Sequence, residues 1–375
     1  MRIAVVYDYL PAHPGGAEKV LPEILQVFKG NVDLFLAGLV DSTFSRGFID
    51  RIHEQDPDCK VFIGQQINYL KDLRLRFLHY RLPAILSGFS FEGYSHVICY
   101  TSFLGHSITV PIGTKKIVYF NTPSRVLWNL THSHSPLKKI IPRFLLEILR
   151  SSLRRSDQMG IASADIIITI SHAVLQRIKS FYNVDSIILY PPISQRELPS
   201  QSTSIIKNPN RKYFAHISRL ESYKNIQLLI QTAPLLPDYD FFIIGEGPYQ
   251  KQLVALSKKI NSKNVLFTGF ISDEQRDIFI RNAVATLSLN DEDFGLSKIE
   301  SLQLGTQVVA LARGAAPELL KNTPGGILFN ENTPESLKEA LIKATISLWT
   351  KKEIQDASSI FSYERFNKEL QSYIV

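Results

Sequence analysis

The sequence predicts an α/β protein made of two doubly wound, Rossmann-like parallel-sheet domains facing each other across a cleft. Three observations predict it. Short β-branched runs alternate with segments of helical spacing along the 375 residues, the pattern of parallel strands joined by right-handed crossovers. The alternation pauses at Pro191-Pro192, a pair that continues neither a helix nor a central strand. It restarts after a mostly polar stretch from Ser200 to Arg211, and the length fits two domains or three.

In the first set, Arg2 to Tyr7 reads as a strand that Asp8 to Gly16 breaks with two prolines and two glycines. From Ala17 to Phe28, the side chains Val20, Leu21, Ile24, Leu25 and Phe28 share one helical face. Strands are expected at Val32 to Ala37, Cys59 to Ile63, His96 to Tyr100, Lys116 to Phe120 and Ile166 to Ile170. Ser171 offers a cap to a helix from His172 to Phe181, and Ile187 to Tyr190 runs into the proline pair. In the second set, strands are expected at Tyr213 to Ile217, Tyr239 to Ile244, Val265 to Phe267, Val284 to Leu289 and Gln307 to Ala310. Helices are expected at Ile226 to Thr232, Tyr249 to Ile260, Asp273 to Asn282, from Ile299 onward, and at Glu335 to Ser347.

Apolar residues at 45% and charged residues at 21% are those of a globular chain that buries a full core without staples. Two cysteines, Cys59 and Cys99, fit a reducing compartment and form no zinc spacing. The start, Met1 to Tyr9, has Asp8 inside an apolar run too short for a secretory signal, and no uncharged apolar run reaches membrane-span length. A cytoplasmic protein is expected. The net charge is +7, with 21 Lys+Arg against 15 Asp+Glu over residues 1–193 and 21 against 20 beyond them. The excess is densest from Lys115 to Arg155, where Glu147 is the only acid. That stretch reads either as a solvated helix face or as a surface for anionic lipid or a phosphorylated acceptor. Nucleic acid is disfavoured, since no aromatic-basic motif or helix-turn-helix pattern accompanies the charge.

Glu292 and Glu300 carry the most information. They lie in a strand-to-helix loop and one turn into the following helix, where ligands bind open α/β sheets. Carboxylates grip hydroxyls and helix-start amides grip phosphate, so the pair suits a nucleotide-sugar. Acidic residues at a helix start also cap it. Gly15-Gly16 opens the first helix and either lets a phosphate approach or is a plain turn. Arg219 and Lys224, after a strand, suit a pyrophosphate or are surface charge. Gly245-Glu246-Gly247-Pro248 lines a base or is a tight turn. His132 and His134 read as solvated loop histidines. Neither a nucleophile elbow nor a Walker A loop is present, and Gly-x-Gly-x-x-Gly is missing after the first strand, which argues against a nicotinamide dehydrogenase.

Taken in order, these segments resemble the retaining, nucleotide-sugar-dependent glycosyltransferases of family 4, which have the GT-B fold. The resemblance rests on Gly15-Gly16-Ala17-Glu18, Ser218-Arg219-Leu220 with Lys224-Asn225, Ile244 to Pro248, Phe267-Thr268-Gly269, and Glu292-Asp293-Phe294-Gly295-Leu296 through Glu300 with Gly305. Similarity is greater to mannosyltransferase-like members of lipopolysaccharide and capsule assembly. Their His-Thr-Pro-x-Arg-x-x-Trp segment reads Asn121-Thr122-Pro123-Ser124-Arg125-Val126-Leu127-Trp128 here.

The resemblance implies an acceptor-side domain over 1–193, a donor domain over 194–358, and a last helix over about 359–375 that packs back on the first domain. It implies that Arg219 and Lys224 hold the donor diphosphate without a metal or other cofactor. Glu292 would bond sugar hydroxyls and Glu300 the ribose. Phe294, Gly295 and Leu296 would offer backbone amides, Gly16 would approach the phosphates, Gly245 would line the donor, and Arg125 would lie on the acceptor side. The expected activity is hexosyl transfer, with mannose from GDP-mannose the family-weighted choice, to a lipid-linked or glycan acceptor at the inner face of the cell membrane. Two departures stand out: Asn121 replaces the family's His near the reacting sugar, and Ser218 replaces a Gly. Asn hydrogen-bonds but does not titrate near neutral pH. That change favours an alternative, a non-catalytic nucleotide-sugar-binding subunit of another transferase. Sugar-nucleotide epimerisation fits the motifs less well.

Overall fold

The computed structural model describes residues 1–68, 81–125, 127–128, 143–193 and 211–374. The His132–His134 pair, and the polar stretch after the proline pair up to residue 210, lie outside the described residues. The chain divides into two units, Met1–Pro192 with Tyr363–Val375, and Ile193–Ser362.

The first unit holds an eight-stranded sheet in the order β3-β2-β1-β5-β6-β7-β8, with β4 also pairing β2. Its strands are β1 (Ile3–Leu10), β2 (Val32–Asp41), β3 (Val61–Ile63), β4 (Gln66–Asn68), β5 (His96–Thr101), β6 (Lys115–Phe120), β7 (Ile166–Thr169) and β8 (Ile187–Ile188). Adjacent strands pair in parallel, so β1, β2, β5 and β6 are buried on both faces and read as unbroken apolar runs. β1 continues past the expected break, because Asp8 turns inward onto the backbone after β5 and Pro11 ends the strand instead.

Helices Gly16–Val27 and His172–Tyr182 follow the expected spacing, the latter capped by Ser171 accepting from Val174 N–H. Helix Thr43–Gln55, whose Ser42 and Ser45 form a reciprocal cap, was not expected from the pattern of residues. Helix Arg143–Ala162 carries part of the basic stretch, and two of that stretch's cations serve the fold rather than a surface. Lys116 is fully buried, its Nζ donating to the carbonyls of Ile108 and Gly160 and to Ser163 Oγ at 3.0, 2.8 and 2.8 Å. Arg154 donates to Leu127 O and lies over the Trp128 ring. The last helix begins at Tyr363, and Phe366 stacks on Tyr119 of β6.

The second unit holds a six-stranded sheet in the order β11-β10-β9-β12-β13-β14. The strands are β9 (Tyr213–Ile217), β10 (Asp240–Ile244), β11 (Val265–Gly269), β12 (Ala285–Ser288), β13 (Gln307–Leu311) and β14 (Gly326–Phe329). They also pair in parallel. Phe214, Phe241, Ile243, Leu287 and Val309 fill the core between the sheet and helices Ile226–Thr232 and Pro334–Ile346. In each sheet the chain winds outward both ways from a central pair, β1/β5 in the first and β9/β12 in the second. Those pairs are switch points, and the crevice beyond the carboxyl ends of their strands is where such sheets bind ligands.

Candidate active site

At the second switch point, β9 ends at Ile217 and β12 at Ser288, and the loops that follow bring charged side chains together. Glu292 accepts from Lys224 Nζ at 2.6 Å on Oε1 and from Lys298 Nζ at 2.7 Å on Oε2. Ser288 Oγ lies 3.2 Å from the same Oε2. Burial alone would raise the Glu292 pKa, but the two ammonium groups outweigh it and hold the carboxyl well below the usual carboxylate range. Lys298 is 1% exposed, and a buried ammonium without a counter-ion costs several kcal/mol, so Glu292 is a structural partner as well as a ligand candidate. Two cations share one carboxylate, so a phosphate oxygen is able to compete with Glu292 for an ammonium group.

Gly295 allows this geometry. It caps helix Leu296–Gln303 at φ +84°, a left-handed conformation, and a Cβ there would strike Lys298 Nζ and Glu292 Oε2. Gly245, at φ +126°, lets β10's end pass against the Ser218 carbonyl. Phe294 is buried edge-on to Phe361, which anchors the loop. Leu296 starts the helix, and Glu300 is buried one turn further on. Arg219 is 66% exposed and pairs with Glu221 at 3.2 Å. The expected Glu292 and Lys224 therefore meet directly, and Arg219 lies in the same loop with another partner.

Sequence reasoning missed Lys298 and His216. A cation at the third residue of a helix opposes the helix dipole, an oddity that could have marked Lys298. His216 carried no such signal, being one residue in a central strand. It is buried, with Nδ1 2.9 Å from Leu287 O and Nε2 2.8 Å from Ser218 Oγ. A carbonyl only accepts, so Nδ1 holds the proton and Ser218 donates to Nε2. Burial lowers the His216 pKa to about 4, and Lys224 pushes it the same way.

In the first unit the corresponding crevice is organised around Asp8. Its carboxylate accepts from the amides of Ser102, Phe103, Leu104 and Gly105 at 2.6, 2.9, 2.8 and 2.5 Å, and from Thr101 Oγ1. Gly16 is the exposed first residue of its helix; behind it Gly15 N–H donates to Glu18 Oε2 at 2.7 Å, and Tyr7 OH to Oε1 at 2.6 Å. Tyr7 stacks on Tyr100, whose hydroxyl donates to Asn121 Oδ1 at 2.7 Å. Among the described residues, Asn121 Nδ2 is buried without a hydrogen-bond partner. Arg125 is half-buried in the following loop, and Trp128 Nε1 donates to Asp157.

Residues 199–353 match the family described as glycosyl transferases group 1. That match falls within the second unit save for its first residues up to 210, which lie outside the described ones. Solved GT-B structures cover both units. HepE of Anabaena in complex with UDP superposes with a TM-score of 0.72 over 100% of this chain and 99% of that one, at 16% identity. Sucrose-phosphate synthase of Thermosynechococcus elongatus superposes at 0.70 over 99% and 98%, at 14% identity. The chain thus has the GT-B fold. Among curated relatives, the sulfoquinovosyl transferase SQD2 of Arabidopsis thaliana is 26% identical over 54% of this chain and 42% of its own length. The O-antigen chain mannosyltransferase C of Escherichia coli is 24% identical over 42% of each. The matches span less than half the length of these two relatives. No helix among the described residues is long and apolar enough to cross a membrane.

Proposed function

We propose that this chain is a retaining hexosyltransferase, moving a sugar from a nucleotide-sugar to a growing surface glycan on a lipid carrier. The observation that carries the proposal is the Lys224–Glu292–Lys298 cluster at the switch point of the unit that matches the group 1 family. Breaking a glycosyl–phosphate bond builds negative charge on the leaving diphosphate and positive charge on the ring. Lys224 and Arg219 answer the first without a metal. A phosphate oxygen competes for Lys224, and Glu292 Oε1, released from it, accepts from a sugar hydroxyl while Lys298 holds Oε2. Glu300 binds the ribose. Gly16, Asn121 and Arg125 serve the first unit's share of the reaction, at the cytoplasmic face of a membrane.

Mannose from GDP-mannose is the donor we favour, supported by the O-antigen mannosyltransferase relative. The UDP held by the Anabaena neighbour makes a UDP-sugar the competing choice. A thermal-shift panel of GDP-, UDP- and dTDP-sugars, followed by a transfer assay with the stabilising donor, tests this. The expected result is one selective donor and turnover to a lipid-linked glycan. Asn121, in place of the family's His, favours a second reading as a non-catalytic binding subunit. Donor binding without hydrolysis or transfer across the panel would select that reading.

A further inference from the structure

His216 stands where β9 parts from β12, on the strands that lead into the loops of Lys224 and Glu292. The β9/β12 ladder ends with Ala215 opposite Thr286. On its other side β9 stays paired with β10 as far as Ile217 and Ile244, and Ser218 N–H then donates to the Ile244 carbonyl at 3.2 Å. Backbone therefore holds one flank of the end of β9. On the β12 flank a side chain takes over. The imidazole Nδ1–H donates to Leu287 O at 2.9 Å, and Nε2 accepts from Ser218 Oγ at 2.8 Å. The ring is 2% exposed, so its position is fixed by packing as well as by these two bonds.

Both contacts stop one residue short of the site. Leu287 precedes Ser288, whose Oγ lies 3.2 Å from Glu292 Oε2. Ser218 precedes Arg219, in the segment that runs on to Lys224. The 2.6 Å contact of Lys224 with Glu292 joins the same two segments further along. We propose that His216 is a positioning residue that, through Ser218 and Leu287, sets the spacing of the Arg219–Lys224 loop against Glu292 and so the fit of the site to a diphosphate. A planar ring bonded at both ends is a stiffer spacer than two long side chains, and a site already spaced for its ligand loses less on ordering. Ser218 is part of the device, because a glycine there would leave Nε2 without that donor. Burial keeps the ring neutral at neutral pH, so Nε2 remains an acceptor. This role rests on the donor-site reading of the Lys224–Glu292–Lys298 cluster and adds the residue that spaces it.

The test is calorimetric titration of the full chain with GDP, UDP and dTDP, beside thermal unfolding. The wild type should bind at least one of the three. Ser218→Ala should weaken that binding about five- to tenfold, the scale of one lost hydrogen bond. Its unfolding midpoint should hardly move, because Ser218 is only half-buried and water can take the vacated place. Ser218→Thr, which keeps the hydroxyl, should restore the affinity. His216→Asn, whose shorter amide still donates to Leu287 O but falls short of Ser218, should weaken binding to a similar degree. The double variant, His216→Asn with Ser218→Ala, should bind no more weakly than the weaker single variant, since both break the same bond. Wild-type affinity in Ser218→Ala, no rescue by Ser218→Thr, or additive losses in the double variant would overturn the proposal and leave the donor-site reading standing. Binding of none of the three nucleotides by the wild type would overturn both.

Discussion

At the switch point of the first sheet a carboxylate, Asp8, is held by four backbone amides; at the switch point of the second, Glu292 is held by two side-chain ammonium groups. Both acids are charges taken largely out of water and satisfied at short distance. The difference lies in what would have to move to release them. The amides of Ser102 to Gly105 are fixed by the turn after β5, so Asp8 changes partner only if that turn is unmade. Lys224 and Lys298 end in rotatable chains, so Glu292 can exchange an ammonium for a hydroxyl when an anion arrives. The same chemical group is a rivet in one unit and a movable contact in the other.

The largest expected effect is on the rivet. Asp8→Ala leaves several buried amides without an acceptor and should cost about 3–5 kcal/mol of stability in denaturant unfolding. Asp8→Asn, which keeps one acceptor oxygen, should cost less. Nucleoside diphosphate binding by the folded fraction should not change. A loss of that binding with stability intact would show that Asp8 acts on the ligand.

Glu292→Gln should differ from it in lowering activity as well as stability. Its amide oxygen still accepts from Lys298 but no longer neutralises that buried ammonium, so stability should fall by about 3 kcal/mol. Transfer should fall about 10²–10³-fold in initial-rate assays, the scale for losing one preorganised contact to the reacting centre. If the folded variant transferred normally, Glu292 would be a second rivet and the contrast between the units would fail.

The contrast extends to acid. Burial gives His216 a pKa of about 4, against about 6.5 for an unperturbed histidine in the unfolded chain. Between those values the unfolded state holds more protons, so stability is intact above about pH 6.5 and is lost as pH falls toward 4. That amounts to about 2 kcal/mol between pH 7 and pH 5. Glu292, whose pKa is depressed, adds loss in the same direction at lower pH. Unfolding followed at both values checks this, and His216→Asn should flatten the difference. An unchanged slope in that variant would assign the acid loss to another group.

The sequence showed much of this architecture and little of the site's wiring, and the reason is physical. Strands such as Lys115–Phe120 and Tyr213–Ile217 are buried on both faces, so their apolar runs announce them. Helix Thr43–Gln55 escaped because it begins with polar residues and buries only Ser45, Phe48 and Ile52, too few for a clear stripe. Glu292 and Lys224 were legible as types suited to a phosphorylated sugar. Their 2.6 Å contact was not, because it joins loops 68 residues apart. Lys298 and Lys116 are cations only 1% and 0% exposed, which a reading of charge as surface cannot anticipate.

The smallest expected effect concerns Asn121, which belongs to neither class. Tyr100 is buried, and burial holds its phenol well above its ordinary pKa, so its hydroxyl remains a donor at working pH. By occupying Asn121 Oδ1 it fixes the amide and leaves Nδ2, a buried donor, unanswered. An unmet buried donor costs about 1–3 kcal/mol, a cost that an oxygen-bearing ligand would remove. Tyr100→Phe frees the amide to turn and should lower stability by about 1 kcal/mol and transfer only several-fold. Asn121→His restores the family's titrating group at the same place. If the position touches the reacting sugar, the pH profile of transfer should gain a limb near pH 6.5 that the parent lacks. A flat profile and wild-type transfer in both variants would make Asn121 a rivet like Asp8, and would leave the exchangeable polar contacts to the second unit's crevice, with Glu292 among them.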